Sequence, residues 1–196
     1  ADLLSRHRPA TVSVRFRAVQ QFFRWAVDEG EIAESPMARM RPPIVPEEPP
    51  AVVARDAMRK LLSSTSGKSL EERRDHALLL LFADTGIRRA ECAGLTVDDV
   101  DLDAREVRVL GKGRRPRVCP FGNRTARALD RYLRARARHP SAGRPEFWLG
   151  HGGPMTDSGI YQIVRDRCVA SGLPPMGPHR FRHTFAHEWL VKGGAE

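Results

Sequence analysis

His179-Arg180-Phe181-Arg182-His183 is the most chemically informative segment of the chain. His179 and Arg182 stand three apart, so on a helix they share one face. Pro178 fits the first turn of that helix. Arginines in a first turn oppose the helix dipole. An anion held between Arg182 and the helix N-terminus would relieve that cost, which points to a phosphate site. His179, His183 and His187 also recur every four residues, a stripe that permits zinc. No HExxH is present, no cysteine is near and two arginines intrude, so no metal is expected.

Two further segments carry weaker signals. In Thr85-Gly86-Ile87-Arg88-Arg89-Ala90-Glu91, a glycine turn sets Arg88 at a helix start, directly after an apolar stretch. A helix C-cap followed by a surface arginine paired with Glu91 is the plainer reading. In Gly111-Lys112-Gly113, two glycines free a lysine at a hairpin tip. Such a lysine can reach a ligand, although most point into water. Ser66-Gly67-Lys68-Ser69 imitates the end of a phosphate-binding loop. The motif needs a glycine where Leu62 stands, and no strand precedes it, so a nucleotide loop is excluded.

Charge gives these segments a context. The chain has 196 residues and a net charge of +9. Only Lys60, Lys68, Lys112 and Lys192 are lysines. The rest of the base is arginine, whose planar fork binds phosphate bidentately. From Ala1 to Pro50 acidic and basic residues balance, whereas Arg105 to Arg138 holds twelve basic residues against Glu106 and Asp130. Arg124, Arg127, Arg131, Arg134 and Arg138 follow helical spacing within that stretch. Such a stripe fits a polyanion, most simply nucleic acid, and equally fits a solvated face.

Composition narrows the class. A hydrophobic share of 41% and a charged share of 29% are those of a globular protein. The longest apolar run, Ala77 to Ala83, is too short for a membrane span. The start shows no signal-peptide pattern. Cys92, Cys119 and Cys168 lie far apart without CxxC, which fits a reducing cytoplasm rather than a disulfide framework.

The elements that must position these residues follow from periodicity. Val12, Phe16, Val19, Phe23 and Ala26 predict an amphipathic helix over 11–29, capped by Thr11 and stopped by Gly30. Pro42, Pro43, Pro46, Pro49 and Pro50 predict a stiff linker over 42–53. Helices are expected over 54–63, 70–84 and 88–93, the second apolar nearly all round. Val97 to Leu102, Glu106 to Leu110 and Arg115 to Cys119 predict an antiparallel meander. Helices over 123–138, 156–171 and 179–191 complete a mainly α chain with a small antiparallel sheet, an α+β class.

In order and spacing, Thr85-Gly86-Ile87-Arg88, the Gly-Lys-Gly hairpin and His179-x-x-Arg182-His183 resemble the tyrosine recombinase (phage integrase) family. The resemblance covers 54–196, the catalytic domain. Phe22-Phe23-Arg24-Trp25-Ala26-Val27 with Ser35-Pro36-Met37 resembles the end of the family's helical core-binding domain, here 1–41. It implies site-specific DNA recombination, integration or excision of a mobile element or phage, by phosphodiester transesterification. Arg88 and Arg182 would clamp the scissile phosphate, Lys112 would protonate the leaving 5′ oxygen and His179 would assist proton transfer. Glu91 and His183 match supporting positions behind these groups. Arg89, Arg114, Arg115, Arg117, Arg127 and Arg131 are expected along the DNA backbone.

The resemblance implies no metal or nucleotide cofactor. The partners it implies are double-stranded DNA and further recombinase protomers, in the cytoplasm on the nucleoid and away from membranes. The family's nucleophile is a tyrosine downstream of the His-x-x-Arg helix, preceded by a His or Trp. The only tyrosines here, Tyr132 and Tyr161, lie upstream, and neither is assigned that role. The sequence is therefore expected to be a truncated form, inactive alone unless a tyrosine arrives in trans, with an apolar patch left open. A non-catalytic regulator occupying recombination sites and a type IB topoisomerase-like enzyme are the alternatives.

Overall fold

The computed structural model describes residues 2–46, 49–111, 113 and 115–194. It forms two compact units, Ala1–Pro49 and Pro50–Glu196. The boundary between them falls inside the proline cluster.

The first unit holds α1 (Asp2–Arg6) and α2 (Pro9–Asp28). Arg8 is extended, as a residue before proline prefers, and Pro9 opens the helix. The helix therefore starts before Thr11, which is not its cap. Gly30 takes φ +77°, the left-handed conformation that stops the helix. Val12, Ala26 and Met37 are buried. Leu3, Phe16, Val19 and Phe23 line an apolar groove of about 590 Å³ within this unit.

The second unit is built around α4 (Leu70–Thr85). Ser69 caps it: its hydroxyl accepts from the Glu72 amide at 3.1 Å, and the Glu72 carboxylate accepts from the Ser69 amide at 3.1 Å. So the Ser-Gly-Lys-Ser segment ends in a capping box. Ala77 to Phe82 are buried on every side of α4, because α3 (Arg55–Ser63), α6 (Asn123–Arg136), α7 (Asp157–Ala170) and α8 (Pro178–Val191) all pack against it. The charges beside this core are paired. Asp75 accepts from Arg74 at 2.8 Å and from Arg167 at 2.7 Å.

After α5 (Arg89–Ala93) the chain enters an antiparallel sheet of order β1–β2–β3: Val100–Asp101, Glu106–Leu110 and Pro116–Pro120. The first strand is shorter than its sequence predicts. Thr96 donates its amide and hydroxyl to Asp99 at 2.8 and 2.7 Å, winding Val97–Asp99 into a 3₁₀ turn. A small hairpin of β4 (Leu149–Gly150) and β5 (Gly153–Pro154) has no counterpart in the sequence reading.

Arg136 explains how the loop before β4 is held. It is buried and donates to the carbonyls of Phe147, Ala142, Arg144 and Glu146 at 2.6–3.0 Å. One member of the basic stretch is thus an internal clasp, not a surface charge. Tyr132 is buried beside it, stacked on Trp148 with ring centroids 5.2 Å apart.

Candidate active site

The turn after α4 places the first arginine. Gly86 adopts φ +55°, and a Cβ there would meet Phe185 at 2.6 Å, so only glycine fits. The Thr85 hydroxyl donates to the Leu81 carbonyl at 2.6 Å and accepts from the Ile87 amide at 3.2 Å. Ile87 is buried in the core. Arg88 follows directly and projects outward, its side chain 50% exposed.

Glu91 gathers the cations. Its side chain is 7% exposed and accepts from Arg88 Nη1 at 2.8 Å, the Arg88 amide at 2.9 Å and Arg117 Nη2 at 2.6 Å. Burial works to raise this carboxyl, and the hydrogen bonds from Arg88 and Arg117 outweigh it, holding Glu91 below the ordinary carboxylate range. Arg117 also donates to Cys119 Sγ at 2.9 Å.

Arg182 comes from α8, ninety-six residues beyond the turn it meets. Its Nη1 donates to the Gly86 carbonyl at 2.6 Å. Burial lowers the pKa of this guanidinium, and the positive fields of Arg88 and Arg117 lower it further. Three arginines therefore stand around one carboxylate. The surplus positive charge at this spot is what an anion would neutralise.

A pocket of about 340 Å³ opens beside Arg88 and Arg182, lined also by Ile87, Arg89, Tyr161, Gly177, Pro178 and His179. The N-terminus of α8 borders it without any side-chain cap. His179 and His183 meet edge to face, ring centroids 4.3 Å apart. Among the described residues no three His, Cys, Asp or Glu converge as a metal-binding group. On the other side of Arg182 lies a larger, mostly apolar cavity of about 670 Å³, walled by Arg117, Cys119, Phe185 and Trp189.

The remaining site residues are placed as follows. Strand register pairs Leu110 with Pro116, and Gly111 donates to the Arg115 carbonyl at 2.9 Å. Lys112 and Arg114 lie outside the described residues. Arg115, Arg127 and Arg131 are exposed, the last two on α6. Arg89 pairs with Asp157 at 2.5 Å, and its guanidinium lies 5.4 Å from the Tyr161 ring centroid.

Two of these positions were missed or undervalued in the sequence. Arg117 joins the cluster rather than only the outer hairpin surface. The strand alternation carries that signal, since Arg117 shares a face with buried Cys119. Tyr161 lines the same pocket as Arg88, His179 and Arg182, a placement that no local pattern announces. Tyr132 is remote in chemistry. Its hydroxyl donates to the Phe147 carbonyl at 2.9 Å and accepts from the Leu149 amide at 2.8 Å, and burial pushes its pKa up to about 12.

The helical layout with its small antiparallel sheets is the catalytic-domain fold of the tyrosine recombinases. Solved structures that share it include the Tn1549 transposon integrase in complex with transposon right-end DNA, at TM-score 0.78 and 19% identity over 99% of this chain and 71% of that one. A lambda integrase dimer bound to a COC′ core site matches at TM-score 0.76 and 16% identity, over 97% and 55% of the two chains. The chain belongs to the phage integrase family, whose pattern matches residues 52–196. Its curated relatives include tyrosine recombinase XerC of Corynebacterium efficiens, 37% identical over 95% of this chain and 60% of that protein. Tyrosine recombinase XerD of Listeria innocua is 30% identical over 94% and 64%. The chain thus spans under two thirds of the length of these relatives. Among the described residues, no helix is long and apolar enough to cross a membrane.

Proposed function

We propose that the second unit binds duplex DNA and clamps one phosphodiester for site-specific strand cleavage and rejoining, as in integration or excision. The observation that carries this reading is the pocket beside His179 that Arg88 and Arg182 line together, with Glu91 holding Arg88 and Arg117 behind it. In-line attack on a phosphodiester builds negative charge on the non-bridging oxygens. Arg88 and Arg182 stabilise that charge as fixed donors in a partly desolvated site. His179 and Lys112 supply proton transfer, Lys112 toward the leaving 5′ oxygen. Glu91 orients Arg88, and His183 supports His179 through their ring contact.

The attacking group is a tyrosine supplied beside the pocket, neither Tyr132 nor Tyr161. Arg115, Arg127 and Arg131, with Arg114, follow the DNA backbone, so binding is dominated by phosphate contacts. Further protomers assemble on paired sites, in the cytoplasm on the nucleoid. The first unit belongs to a helical clamp that grips the duplex.

A salt titration of duplex DNA binding tests this reading. Affinity is expected to fall steeply between about 50 and 200 mM salt. A binding constant indifferent to salt over that range contradicts the backbone-contact reading. With a tyrosine-bearing segment supplied, Arg182→Ala is expected to abolish the covalent DNA adduct while most binding survives. Normal adduct formation by Arg182→Ala would remove the clamp.

A further inference from the structure

Tyr161 sits where three helices meet the pocket. It lies one turn along α7 from Asp157, which pairs with Arg89 at 2.5 Å, and the Arg89 guanidinium lies 5.4 Å from its ring centroid. On its other side is Gly177, the residue before α8. A Cβ on Gly177 would lie 2.9 Å from Tyr161 Cε2, and the three nearest heavy atoms are all of that ring. Gly177 has φ −99° and ψ 166°, extended backbone that any residue adopts. A side chain at 177 would therefore press on the ring without straining the backbone.

These contacts join the two halves of the anion site. Arg89 is the neighbour of Arg88, and Gly177 precedes the turn that carries His179 and Arg182. We propose that Tyr161, held between Arg89 and Gly177, is a positioning residue that sets Arg88 at the correct separation from His179 and Arg182. The inference rests on the phosphate-clamp reading above. Its physical basis is that two guanidiniums grip one phosphate only when both donor sets reach it together. A displacement of about 1 Å forfeits much of that advantage. The ring edge at Cε2 and Cδ2 sets the spacing, so the phenol oxygen has no part in it.

The test is titration of the 196-residue chain with inorganic phosphate, following the His179 and His183 ring signals by NMR. Tyr161→Ala is expected to weaken phosphate about tenfold. Tyr161→Phe keeps the ring and is expected to stay within about twofold of the parent. Gly177→Ala is expected to weaken phosphate in the parent but to add nothing on top of Tyr161→Ala, because its clash partner is gone. That pairing also keeps the test sharp if one variant folds poorly. A purely structural role would lower the melting temperature and leave the affinity of the folded protein unchanged, which overturns the proposal. A loss in Tyr161→Phe equal to that in Tyr161→Ala overturns it as well, since the hydroxyl would then be the ligand contact. Arg182→Ala separates the two layers. If it loses phosphate while Tyr161→Ala and Gly177→Ala do not, only the positioning role falls. If Arg182→Ala binds like the parent, the clamp reading fails and the positioning role falls with it.

Discussion

Arg182 Nη1 donates to the carbonyl of Gly86 at 2.6 Å, tying the α8 arginine to the turn that presents Arg88. Arg182 is thus anchored on the backbone two residues before Arg88, although almost a hundred residues separate the two arginines. This bond ties the turn to the helix.

Gly86→Ala is expected to break that tie. It forces a side chain into left-handed backbone and drives a Cβ to 2.6 Å from the Phe185 ring. A loss of about 2–4 kcal/mol in chemical denaturation is expected, from backbone strain plus overpacking. Phosphate affinity should fall in parallel, because relief of the strain shifts the residue 86 carbonyl that anchors Arg182. Unchanged stability would show that the turn relaxes freely.

Glu91→Gln leaves the Arg88 and Arg117 guanidiniums against a neutral amide. Removing the buried charge partner is expected to destabilise the unit by about 1–3 kcal/mol, since Arg88 and Arg117 are partly solvated. Inorganic phosphate should then restore melting temperature more in Glu91→Gln than in the parent. The parent also has a pH signature. The folded pKa of Glu91 is depressed, so its stabilisation is full above the ordinary glutamate value and is lost as pH falls through the folded value. Acid melting curves of parent and Glu91→Gln should therefore converge below the ordinary carboxylate range.

His76 predicts a second pH effect, away from the site. Burial lowers its pKa, and the charges of Arg124 and Arg131 lower it further. Its Nδ1 lies 2.9 Å from the Thr65 hydroxyl. The folded state resists protonation here, so stability is full above the ordinary histidine value and declines as pH falls below it. His76→Asn should flatten that decline in a pH series of melting temperatures. An equal decline in both proteins would assign it to other groups.

Arg136 and Arg131 share a helix and differ in role. Arg136→Ala strips donors from four backbone carbonyls and is expected to cost about 3 kcal/mol or more by denaturant unfolding. Arg131→Ala is expected to leave stability within about 0.5 kcal/mol. It should instead reduce the salt slope of DNA binding by about one, as Arg127→Ala and Arg115→Ala should in turn. Salt slopes that ignore all three substitutions would move the DNA path elsewhere.

Much of this arrangement is legible in the chain itself. The apolar run of α4, the glycine at 86 and the His-x-x-Arg spacing mark the elements that carry Arg88, His179 and Arg182, because each obeys a local period or turn rule. The sequence pattern puts Val97 in a strand, whereas Thr96 and Asp99 form a side-chain capping box that the β-branched residue masks. The role of Arg136 is hidden from the sequence, since helical spacing cannot show that the 142–147 carbonyls turn toward it. Tyr161 is a parallel case. Its place beside Arg88 depends on how α5, α7 and the start of α8 converge, which is tertiary and leaves no periodic trace.

Orthovanadate binding tests the central claim most directly, because vanadate coordinated by two apical oxygens is trigonal-bipyramidal and resembles a phosphoryl group under in-line attack. A tyrosine-bearing segment and a nicked duplex with a free 5′ hydroxyl supply those oxygens. If Arg88, His179 and Arg182 are arranged for that transition state, vanadate should bind this assembly at least about tenfold more tightly than phosphate does. That preference should vanish in Arg88→Ala and in Arg182→Ala. Equal affinity for the two anions, or vanadate binding that survives both substitutions, would contradict the account.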